Sequence, residues 1–173
     1  MKKVLITGPE SSGKTSLAQH LARRFKSPWV GEFARTYLAA LDRPYVEEDL
    51  LQLVNGQLRL EGQQMGTDFP YLFCDTGPEV IYIWSMVKYG HADPYLKELL
   101  HRQHYATRLL CYPDLAWEPD PLREAPALES RLALFGLYQD LHQQMGWDYT
   151  IIRGPGEARF LLAENELLAL PNE

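Results

Sequence analysis

Cysteine is nearly absent from this chain: 173 residues include only Cys74 and Cys111. Each sits in a short apolar run, as Phe73-Cys74 and Leu110-Cys111, where a free thiol behaves as a small hydrophobe. Two cysteines cannot build a disulfide-rich scaffold or a four-cysteine zinc site. Positive charge is scarce too. Lys and Arg number 17 against 23 Asp and Glu, for a net charge of −6. A protein that grips nucleic acid usually carries the opposite excess, so nucleic acid is a poor partner. Long apolar runs are missing. None approaches the ~18 residues of a membrane span, and the run before Gly8 is too short for a signal segment. The expected location is the cytoplasm, with no membrane partner. Repeats and low-complexity tracts are also missing.

What is present is an alternation. Short apolar β-type runs occur at Lys3 to Thr7, Pro28 to Gly31, Tyr71 to Cys74, Thr107 to Tyr112 and Tyr149 to Arg153. Such near-continuous runs suit strands buried on both faces. Helical periodicity fills the intervals. Leu17, Leu21 and Phe25 are four apart, as are Leu50, Val54 and Leu58. Leu128, Leu132, Phe135, Tyr138, Leu141 and Met145 step by three or four, as one apolar stripe would. Further helices are expected from Pro78 to Val87, Tyr95 to His104 and Glu157 to Leu170. Asn55-Gly56 interrupts one pattern with a turn-like pair. Strands alternating with helices imply βαβ units and a parallel sheet. At this length a single α/β domain spanning residues 1–173 is expected. Pro113 to Pro126 is polar and Pro-rich, and a loop this long inside a domain is usually functional.

Gly8-Pro9-Glu10-Ser11-Ser12-Gly13-Lys14-Thr15 matches the phosphate-loop pattern G-x-x-x-x-G-K-[ST]. It follows the first strand and opens the first helix, as its mechanism requires. Gly8 and Gly13 permit close backbone approach. The N–H groups from Glu10 to Thr15 would cradle phosphate oxygens, aided by the positive end of the helix. Lys14 would reach the β and γ phosphates and Thr15 would hold Mg²⁺. The expected ATP-binding set is Gly8, Glu10, Ser11, Ser12, Gly13, Lys14, Thr15 and Ser16. Asp75 ends the third strand, where ligands bind in α/β sheets, and is the candidate acid for the metal. Its strand should lie beside the first strand or one strand away, with the second strand outside the pair.

The Asn-Lys-x-Asp signature of GTPases and the Leu-Ser-Gly-Gly-Gln motif of ABC proteins are both missing. A small phosphotransferase remains. It must exclude water from the transferred phosphoryl group, which calls for a cationic lid and an acceptor site facing the phosphate loop. Residues 113–126 with Arg123, followed by Arg131, suit the lid, where arginine would neutralise developing charge. Glu32 ends the second strand and is the candidate base for an acceptor hydroxyl, with Asp75 as the alternative. Arg35 follows one helical turn later. Trp84 and Tyr82 read as core or pocket wall.

Taken together, these segments resemble the ribosylnicotinamide kinase domain of NadR-type proteins. The resemblance rests on Pro9-Glu10-Ser11-Ser12 inside the loop, on Trp29-Val30 with Glu32-Phe33-Ala34-Arg35-Thr36-Tyr37-Leu38, and on Phe73-Cys74-Asp75-Thr76. It extends to Leu115 through Glu124 and to Ile152-Arg153-Gly154 with Arg159. It implies a three-layer P-loop fold of the nucleoside and nucleotide kinase type, with five parallel strands ordered 2-3-1-4-5 and a lid. It also implies ATP- and Mg²⁺-dependent phosphorylation of nicotinamide riboside to its mononucleotide, in NAD salvage. On this basis Arg159 would lie near the adenine. Trp117 would stack on the cationic nicotinamide ring, and Arg35 and Arg123 would orient substrate and phosphate. Two positions depart from the family pattern: Gly77, where an Asp is common, and Pro121, where Gly is common. A kinase for another nucleoside or small nucleotide, or an ATP-binding regulator that transfers nothing, are the alternatives.

Overall fold

All five apolar runs are strands in the computed structural model, which describes residues 1–66, 68–120 and 122–171. They are β1 (Lys2–Thr7), β2 (Trp29–Val30), β3 (Tyr71–Asp75), β4 (Thr107–Cys111) and β5 (Thr150–Ile152). Every pairing is parallel and the order is β2-β3-β1-β4-β5. The sheet order implied by the resemblance is therefore the order found. Ile6 is in register with Asp75, and Thr7 with Leu110. The phosphate loop thus leaves the sheet between the ends of β3 and β4.

Helices on both faces explain why the strands alternate so little. Val4, Ile6, Phe73, Leu109, Cys111 and Ile152 pack against α1 (Lys14–Arg24) and α7 (Gly156–Leu168). On the other face lie α3 (Glu47–Gln64), α4 (Pro78–Tyr89), α5 (Pro94–Arg102) and α6 (Leu128–Met145). There Leu5, Leu72 and Cys74 form one cluster, and Leu110 joins Val80, Ile83, Phe135 and Tyr138 in another. Each fully buried large side chain contributes roughly 1.5–3 kcal/mol. A short α2 (Phe33–Ala39) follows β2.

Three expectations shift. Strand β2 is only Trp29–Val30, shorter than Pro28 to Gly31, because these two residues alone are in register with β3. Asn55-Gly56 makes no turn; α3 runs through it. Gly56 faces the Phe33 ring so closely that a Cβ there would lie 2.1 Å from a ring carbon. Helix α6 exposes Leu128 and Leu132 and instead buries Arg131, Phe135, Tyr138, Leu141 and His142. Arg131 turns inward because its guanidinium donates to the Leu115 carbonyl at 3.0 Å. Among the described residues, 112–126 carry neither helix nor strand. None of the helices described is long and apolar enough to cross a membrane.

Candidate active site

The phosphate loop is built by constraints at its two glycines. Gly8 has φ +130, and a Cβ there would lie 2.6 Å from the Cys111 carbonyl oxygen. Gly13 has φ +81 and caps α1 without a side-chain hydrogen bond. No acidic residue occupies the first turn of α1. The helix therefore presents open N–H groups and its positive end to the loop. Ser12 is buried and donates from its hydroxyl to Pro9 O at 2.7 Å. Lys14 Nζ also donates to Pro9 O at 2.7 Å, leaving further ammonium donors for a phosphate. Ser16 is exposed and lines a cavity that the loop borders.

Thr15 and Asp75 meet. The Thr15 hydroxyl donates to Asp75 Oδ2 at 2.6 Å. Asp75 Oδ1 is buried with no hydrogen-bond partner. Burial pushes the Asp75 carboxyl upward, against the pull of Lys14 and the Thr15 hydrogen bond. An orphaned carboxylate oxygen beside a hydroxyl is a donor set that fits a hard divalent cation completed by phosphate oxygens and water. Among the described residues no cluster of three or more His, Cys, Asp or Glu could hold a metal by itself, so the nucleotide would have to supply ligands.

Across the cavity Glu32 precedes α2. Its pKa is raised mainly by desolvation; Lys14 and Arg35 pull it down and Asp75 pushes it up. Arg35 sits 3.5 Å from Glu32 and donates to Asp120 Oδ2 at 2.8 Å. A cavity of about 390 Å³ joins these groups to the phosphate loop. Glu32, Arg35, Leu115, Leu122 and Arg123 line it, and Val80, Ile83, Trp84, Leu134 and Tyr138 form an apolar and aromatic wall. Arg123 also donates to Glu118 O within its own segment.

Some side chains sit elsewhere than expected. Arg159 is buried beneath the loop and held by Gly154 O, Ser12 O, Tyr112 O and Asp114. Its donors are engaged by the protein, so it braces the loop rather than facing adenine. Trp117 is not among the cavity-lining residues; its indole N–H donates to Glu10 Oε1 at 3.0 Å. The Glu10 side chain also accepts from Glu124 N and Ala125 N, and Ser11 Oγ accepts from Glu118 N at 3.2 Å. The aromatic side chains that do face the cavity are Trp84 and Tyr138. Tyr138 was legible only as part of a helical stripe. Gly77 immediately precedes α4, and a Cβ there would meet Glu79 Oε2 and Leu5 Cδ1 at 2.9 Å. A side chain at this position would point toward Leu5, Glu79 and Tyr105 and would require them to shift. Pro121 lies outside the described residues.

Fold and loop together define a chain with the architecture of P-loop nucleoside and nucleotide kinases. A family model described as an AAA domain matches residues 3–159, and the chain belongs to that family. A NadR protein in complex with NR is similar in structure, with TM-score 0.80 and 20% identity over 98% of this chain and 51% of that one. A NadR protein in complex with NAD and AMP-PNP is similar at TM-score 0.80 and 19% identity, over 98% of this chain and 49% of that one. Deoxyadenosine kinase from M. mycoides with bound dATP follows at TM-score 0.66 and 11% identity, over 96% of this chain and 100% of that one. The chain thus spans about half the length of the NadR structures it matches. No curated protein matches it.

Proposed function

We propose that this protein is an ATP-dependent kinase for the 5′-hydroxyl of a nucleoside, with nicotinamide riboside as the acceptor. One observation carries the reading: a single cavity joins the phosphate loop to a carboxylate of raised pKa and an aromatic wall. The likeness to NadR and to a deoxyadenosine kinase supports the same class. In this reading residues 1–173 form one kinase unit and 113–126 its lid. Lys14 and the loop N–H groups hold the ATP phosphates, and Thr15 with Asp75 holds Mg²⁺. When bound, the ion neutralises phosphate charge. The acceptor hydroxyl oxygen bonds to the γ-phosphorus, the bond from that phosphorus to ADP breaks, and Glu32 takes the hydroxyl proton. A raised pKa makes Glu32 a better proton acceptor than an ordinary carboxylate. Arg123 and Arg35 orient phosphate and acceptor. Trp84 and Tyr138, which line the cavity, would pack against the base, and a cationic ring gains roughly 0.5–2 kcal/mol over an indole. Buried free Cys74 and Cys111 suit a reducing, cytoplasmic setting.

The test is a panel of nucleosides with radiolabelled ATP. Faster labelling of nicotinamide riboside than of the other nucleosides is the expected result. Preference for thymidine or deoxyadenosine would move the substrate and keep the class. ATP hydrolysis unaffected by every acceptor would refute the kinase.

A further inference from the structure

The geometry points to Glu10 as a latch that fastens Trp117 on one side and Glu124 and Ala125 on the other to the phosphate loop and thereby positions Arg123 over the reacting phosphate. This rests on the kinase reading for its catalytic consequence only. Glu10 Oε1 accepts from Trp117 Nε1 at 3.0 Å and from Ala125 N at 2.8 Å, and Oε2 accepts from Glu124 N at 2.8 Å. One carboxylate thus gathers three donors from positions eight residues apart in the chain. Arg123 lies between these anchor points, directly before Glu124, and lines the cavity.

The chemistry favours glutamate specifically. A carboxylate only accepts, and its two oxygens have lone pairs for three N–H donors. Glutamine would turn an NH₂ group toward one of them. Hydrogen bonds to a charged acceptor are also the stronger kind. Two further contacts work in the same direction: Ser11 Oγ accepts from Glu118 N, and Arg131 donates to Leu115 O. On the far side Asp120 is paired to Arg35. The described residues of the segment carry no helix or strand; Arg123 bonds to Glu118 O and Asp120 O inside the segment, and the Glu10 carboxylate ties that local fold to the phosphate loop. The generic loop pattern leaves this position free, so phosphate binding alone does not call for its side chain.

Glu10 is therefore a positioning residue. With the latch intact, Arg123 stays over the γ-phosphate and the acceptor hydroxyl is the only nucleophile admitted. With it broken, water enters and attacks the same phosphorus, giving ADP and inorganic phosphate. The experiment compares hydrogen exchange and ATP turnover in the parent, Glu10→Gln and Trp117→Phe. In Glu10→Gln the amides of Glu124 and Ala125 should exchange about tenfold faster, with β1 and β4 unchanged. Trp117→Phe removes one donor and should give a smaller change in the same direction. In turnover, kcat for transfer should fall about tenfold and the share of ATP lost to water should rise, while KM for ATP stays within about twofold. Unchanged exchange at both amides, or equal acceleration through the sheet, overturns the latch. Faster exchange with unaltered partition to water overturns its positioning role. If Glu10→Gln does not fold, Trp117→Phe decides alone. If the parent phosphorylates no nucleoside, the kinase reading fails while the exchange measurement still decides whether Glu10 fastens the segment.

Discussion

Lys14 and Glu32 divide the proposed chemistry between charge and proton. Lys14→Ala removes the ammonium that would reach the phosphates, and transfer should fall by about 10² or more, since a preorganised charge at the reacting group is worth that much. Steady-state rates at saturating nucleoside check it. For Glu32 the sign follows from its raised pKa. The base works only when ionised, so the transfer rate should decline as pH falls through a value above the ordinary 4.5 of a glutamate. Glu32→Gln should both slow transfer and abolish that acidic limb of the pH–rate profile. That these two residues would line one cavity was legible because their places are dictated by neighbours in the chain: Lys14 by the motif, Glu32 by the end of a strand. The Glu10 contacts were not. They join residues more than a hundred positions apart, and no local pattern encodes which way a loop glutamate turns. Arg159 was misplaced for the same reason, because an arginine pattern does not tell whether its donors face a ligand or the protein's own carbonyls.

Among the elements, α3 matters most for the acceptor side. Gln57 Oε1 accepts from Phe33 N at 2.8 Å, which satisfies a free N–H at the start of α2 immediately after Glu32. Gly56, one residue earlier, lets the Phe33 ring lie against the helix. The glycine that made the sequence look like a turn is thus the condition for setting Glu32 in place. Gly56→Ala gains about 1 kcal/mol of helix propensity, yet its Cβ meets the ring of Phe33. Overpacking of this kind costs about 1–3 kcal/mol. Denaturant unfolding should therefore show a net loss of stability, and acceptor KM should rise as Phe33 moves Glu32. A net gain with unchanged KM would mean that the ring shifts freely and that α3 does not position the base. The order of the elements was otherwise readable, since strand and helix periods differ. The inward turn of Arg131 was not, because periodicity assigns faces by hydrophobicity and cannot register a carbonyl waiting at Leu115.

For the molecule as a whole, a net charge of −6 is less informative than where acids are buried. Beneath the sheet face away from α1, Glu61 is buried, paired to Lys3 at 3.1 Å and approached by the Tyr105 hydroxyl. Glu79 is buried in the first turn of α4, and its Oε1 has no hydrogen-bond partner. Desolvation is the main cause that raises its pKa from 4.5 to about 7; the Thr7 hydroxyl, its own backbone N–H and, more weakly, Arg108 oppose it. In the unfolded chain it titrates near the ordinary value. Between roughly pH 4.5 and 7 the folded state therefore binds more protons, and stability grows as pH falls across that window. Above pH 7 both states are ionised and the folded one bears the desolvation. Glu79→Gln removes that charge and keeps the shape. At pH 8 it should stabilise the protein by up to about 3 kcal/mol, while near pH 4.5 parent and variant should differ little. Urea unfolding at the two pH values measures the difference directly. Equal effects at both would show that Glu79 keeps an ordinary pKa in the fold, and a destabilised variant at pH 8 would show that Thr7, the backbone N–H and Arg108 together hold its charge more strongly than burial opposes it.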